Sequence, residues 1–115
     1  VYLAFNQPAA PALPSNESMA EHFLGILSRS SLAQMADTEI LVVSIYESHK
    51  DDAGFVSALQ AALDAAPDNA LYSRITVTGT SNVLDVEDYF ILDDHLRPSG
   101  HRKVADHLAS AIEQE

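Results

Sequence analysis

Two residue periods alternate along this chain, and they set out its elements. VYLAF (Val1 to Phe5) is a short apolar run with β-branched and aromatic members, which predicts a buried strand. The three prolines of NQPAAPALPSN exclude helix and predict a loop. Ser15 or Asn16 can cap the helix that follows, whose apolar face is read as Met19, Phe23, Ile26 and Leu27. That helix is expected to continue, with a break, to Met35. EILVVSIY (Glu39 to Tyr46) is apolar almost throughout, as suits a parallel strand covered on both faces.

The period then returns to helical in DDAGFVSALQAALDAA (Asp51 to Ala66). Acidic residues open its first turn, and Phe55, Leu59 and Leu63 recur at i, i+4 and i+8. Pro67, Asp68 and Asn69 close it. ITVTGT alternates, as a short edge strand does. SNVLDVEDYF is read as a brief strand at Val83 to Asp85 followed by a turn. RKVADHLASAIEQE is a last helix with Val104, Leu108 and Ile112 facing inward. Strand, helix, strand, helix, short strand, helix implies a parallel sheet with helices packed on it.

Composition narrows what such a domain does. The 115 residues are one domain or part of one. A formal charge of -11 leaves no basic stripe for nucleic acid and no attraction to an anionic membrane. With no cysteine there is no disulfide, thiolate zinc site or thiol nucleophile. No apolar run approaches transmembrane length. The chain opens on Val1, inside a strand pattern, so further residues are expected upstream.

The candidate chemistry sits just ahead of the last helix, in DDHLRPSGHRKVADHL (Asp93 to Leu108). Asp93 and His95 are two positions apart, close enough for a carboxylate to accept the imidazole Nδ1–H. That contact fixes the tautomer and leaves Nε2 as a general base. Pro98 suits a first helical turn, where its missing N–H costs nothing. Gly100 allows the start of the helix to approach neighbouring backbone.

Asp93, His95, Gly100, His101 and Ala105 together resemble the last block of the SGNH (GDSL-type) hydrolases. The resemblance implies a flavodoxin-like three-layer α/β/α sandwich around a parallel sheet, with residues 1–115 as the C-terminal part of one such domain. It implies ester hydrolysis or acyl transfer through a Ser-His-Asp triad, with Asp93 orienting His95 as the base and no metal or organic cofactor. Asn6, after the first strand, would be an oxyanion donor. Acyl-ester small molecules or acylated carbohydrates would be the substrates.

The chain departs from the pattern in three ways. Leu92 stands where many members carry the acid, so Asp93 serves, with Asp94 as the fallback. Arg97 replaces a helix-capping residue. No Gly-Asp-Ser block occurs, so the serine is expected upstream. The sheet edge left by the missing strands predicts association with that N-terminal portion, or self-association.

The competing readings are plain. A non-catalytic α/β binding module could keep the same block for structure. Asp93, Asp94, His95 and His101 could hold a metal, although no i+4 histidine supports it. Ser48 and His49 are read as loop residues, His101 as structural, and His107 as a solvent-side residue without a role.

Overall fold

The computed structural model describes residues 14–45, 53–90 and 95–113. They form α1 (Asn16–Ser28), β1 (Ile40–Ser44), α2 (Ala53–Asp64), β2 (Ile75–Gly79) and α3 (Pro98–Glu113). Single 3₁₀ turns lie at Ser31–Gln34, Tyr72–Arg74 and Val86–Asp88. The expected strand at Val1 to Phe5 lies outside the described residues, as do Tyr46, Asp51 and Asp52.

Each helix begins and ends for local reasons. Ser15 is the cap of α1: its backbone is extended, and its hydroxyl accepts the Ser18 N–H at 3.0 Å. Asn16 is the first helical residue. At the other end, the Ser30 hydroxyl donates to the Leu27 carbonyl, which the helix cannot satisfy itself, and the Ser28 hydroxyl adds a second bond to the Leu24 carbonyl. The helix stops there, and only a 3₁₀ turn continues toward Met35. After α2, the Asn69 side chain accepts the Leu71 and Tyr72 N–H groups and turns the chain toward β2.

The buried stripe of α1 is Ala20, Leu24 and Leu27, with Phe23 packed beside it. Met19 and Ile26, expected on that face, are 38% and 51% exposed. Close approach of α2 explains the rotation. The two helices pack along each other, and a Cβ added to Gly54 would run into the Asn16 amide. A small residue such as Ala20 fits such a seam where Met19 does not. Phe23 and Phe55 meet edge to face with centroids 6.4 Å apart.

β1 and β2 pair in parallel, Ile40 opposite Ile75 through Ser44 opposite Gly79, with α2 as the crossover. Ile40, Val42, Ile75 and Val77 join α1 and α2 in the main core around Leu59 and Leu63. By the two-residue period, Leu41, Val43, Thr76 and Thr78 belong to the opposite face. Arg74 braces the lead-in to both strands: its guanidinium donates to the Met35 and Thr38 carbonyls at 2.6 and 2.8 Å. The architecture is mixed α/β, with a two-stranded parallel sheet and three α-helices among the described residues.

A second core, Leu84, Tyr89 and Val104 with Leu96 and Leu108, binds α3 to the segment after β2. Two expectations fail here. Val83 to Asp85 is a turn: the Val83 and Leu84 N–H groups both donate to the Thr80 carbonyl. The reciprocal capping of Asp85 and Asp88 favours a 3₁₀ turn over a ladder. Ile112 is 63% exposed, because the second core ends one turn earlier at Leu108. No helix among the described residues is long and apolar enough to cross a membrane.

Candidate functional site

His95 is exposed, and its backbone is held in place. Its carbonyl accepts the Phe90 N–H at 3.1 Å, and the next residue, Leu96, pairs with Tyr89 as an antiparallel bridge. Arg97 then donates its N–H to the Asp88 carbonyl at 2.7 Å. Its guanidinium lies 5.7 Å above the Phe90 ring, within cation–π range. These two backbone hydrogen bonds, which together make the bridge, fix the backbone of His95 three positions before α3 begins.

Pro98 is the first residue of α3, and Gly100 is buried against the tied segment. A Cβ on Gly100 would stand 2.8 Å from the Asp88 carbonyl oxygen and 3.0 Å from Leu96 Cδ2. Only hydrogen fits there without displacing backbone. The expected roles of Pro98 and Gly100 are therefore met.

Asp88 is a structural residue of this region that motif reading missed. Its carboxylate is 2% exposed and fully engaged. Oδ2 accepts the Asp85 N–H at 2.8 Å and the Lys103 ammonium at 2.8 Å, and Oδ1 accepts the Ser99 hydroxyl at 2.8 Å. The Asp85 backbone bond, then Lys103, hold its pKa down to about 2; burial opposes them and loses. Lys103 is pushed up in turn, first by Asp88 and less by Asp85 at 3.3 Å. An ionised carboxylate with every donor already in place is a poor proton acceptor. Asp88 is a buckle that fastens the His95 segment to α3. Two signals hinted at it: the Asp-x-x-Asp spacing of a capping box, and Ser99 with Lys103 one turn apart on α3.

Of the other sequence candidates, Asp93, Asp94, Asn6, Ser48 and His49 lie outside the described residues. His101 is exposed, and its backbone N–H makes a helical bond to the Arg97 carbonyl. His107 departs from its expected place on the solvent side. It is half-buried, with Nε2 2.8 Å from the Thr78 hydroxyl, and so joins α3 to β2. Among the described residues no three His, Asp or Glu side chains gather as a metal site. No protein-family model, curated protein or solved structure matches the chain.

Proposed function

We propose that this chain supplies the Asp-His part of a Ser-His-Asp acyl-transfer site, in a domain of α/β/α sandwich type resembling the SGNH hydrolases. One observation carries the reading. His95 is presented by a backbone-tied segment immediately before a helix whose buried Gly100 packs on that segment. The arrangement supports the His95-to-Gly100 half of the Asp-x-His…Gly-His pattern. The parallel β1–α2–β2 unit supports it more generally.

In this reading the nucleophile is a serine outside these residues, because no Gly-Asp-Ser block occurs in them. Its Oγ attacks the acyl carbonyl carbon while His95 takes the hydroxyl proton. Collapse of the tetrahedral intermediate breaks the ester bond, and His95 returns the proton to the leaving alcohol. Water or a second alcohol, deprotonated by His95, then releases the acyl group. Asp93 orients His95 and stabilises the imidazolium. Asn6 and backbone N–H groups receive the oxyanion, a contribution typically of about 3 kcal/mol per donor. An acyl-ester small molecule or acylated carbohydrate is the substrate, and no cofactor takes part.

Labelling with a fluorophosphonate, which reacts with activated serines, tests the assignment. The longer protein carrying this sequence should label, and its His95→Ala variant should not. Equal labelling of both would mean that His95 activates nothing. Lack of labelling in either would favour a non-catalytic binding module. The same reading has the isolated 115-residue chain self-associating through its sheet edge. A monomer by light scattering at high concentration would remove that part.

A further inference from the structure

We propose that the groove at the carboxyl end of β2 binds a compact, uncharged, polyhydroxylated molecule. The groove has a volume of about 240 Å³ and is bounded by the first turns of α2, the residues following β2, and His107 of α3. In parallel α/β units, ligands settle beyond the carboxyl ends of the strands, and this groove occupies that position for the described pair.

Its chemistry selects the ligand. Ser57, Thr78, Ser81, Asn82 and His107 bring three hydroxyls, an amide and an imidazole to one place. Thr78 and His107 bond to each other. The side chains of Ser57, Ser81 and Asn82 have no hydrogen-bond partner among the described residues, and neither does Nδ1 of His107. These groups offer donors and acceptors together, while alanine and valine side chains supply an apolar wall for C–H groups.

Charged ligands fit worse. Among the described residues no Lys or Arg lines the groove to hold an anion, and a chain of charge -11 repels one. Among the described residues no carboxylate lines it to hold a cation. Two other grooves among the described residues lack this combination. One beside α1, lined by Met19, Phe23, Ile26 and Phe55, is mainly apolar, and one between α1 and α2 carries Glu17 and Glu21 against alanines.

This inference stands apart from the acyl-transfer reading, since His95 does not line the groove. Methyl β-D-glucopyranoside titrated into the 115-residue chain, followed on the His107 ring and Thr78 methyl NMR signals, tests it. Saturable shifts are expected. Asn82→Ala, an exposed position away from the α3 contact, should bind roughly fivefold more weakly, the equivalent of one hydrogen bond. His107→Phe should abolish the response, while His95→Ala should bind unchanged. Failure of the ester chemistry would thus leave the groove assignment standing, and the converse holds too. Absence of saturation, equal response to inorganic phosphate, or full binding by Asn82→Ala with native circular dichroism would overturn it.

Discussion

The Asp88 carboxylate shows how one side chain organises the region around His95. Its carboxylate gathers the Asp85 N–H, Ser99 and Lys103, and its carbonyl takes the Arg97 N–H. Because its folded pKa is lowered to about 2 from an ordinary 3.8, the unfolded chain binds its proton first as pH falls. Its stabilising effect is complete above the ordinary carboxylate value and disappears between there and about pH 2. Lys103 has the opposite sign: its raised pKa contributes below the ordinary ammonium value and fades as pH climbs through the folded one. Asp88→Asn should therefore melt well below the parent near neutral pH, with the gap closing as pH approaches 2. A gap unchanged across that range would show that the carboxylate charge contributes nothing. Pro98 and Gly100 were legible in the sequence because backbone constraint is local. Asp88 was not, because its partners stand 11 and 15 residues further along.

Helices and strands were legible where the hydrophobic period was strong. Leu59 and Leu63 fall on a helix and are buried, as their spacing requires, and ILVVS is a parallel strand. The period fixed the face of α1 only to within a residue. Met19 and Ile26 are the more apolar residues, but packing against α2 rewards the smaller Ala20. A strand at Val83 to Asp85 was misread because β-branched residues suggest extension, while the Asp85–Asp88 capping pair decides for a turn. Leu59 is 0% exposed at the centre of the main core. Leu59→Ala should cost about 2–5 kcal/mol in urea unfolding, against within about 0.5 kcal/mol for Ile26→Ala on the exposed side. Similar losses at the two positions would contradict the observed orientation of α1.

Across the whole molecule, the cores divide the work. Helices α1 and α2 cover one face of the sheet, while α3 belongs to a second core joined to the sheet's other face at His107 and Thr78. The His95 segment and α3 are thereby one assembly, tied by Asp88 and packed through Gly100. The sequence pattern marked out that assembly as the candidate site, but its scaffolding depended on contacts between distant residues. The central claim is that His95 is the base of an acyl-transfer site whose serine lies elsewhere. Hydrolysis of p-nitrophenyl acetate by the longer protein, by its His95→Ala variant and by the 115-residue chain tests it most directly. The account predicts turnover by the first and none by the other two. Turnover that survives His95→Ala, or that the 115-residue chain achieves alone, would contradict it.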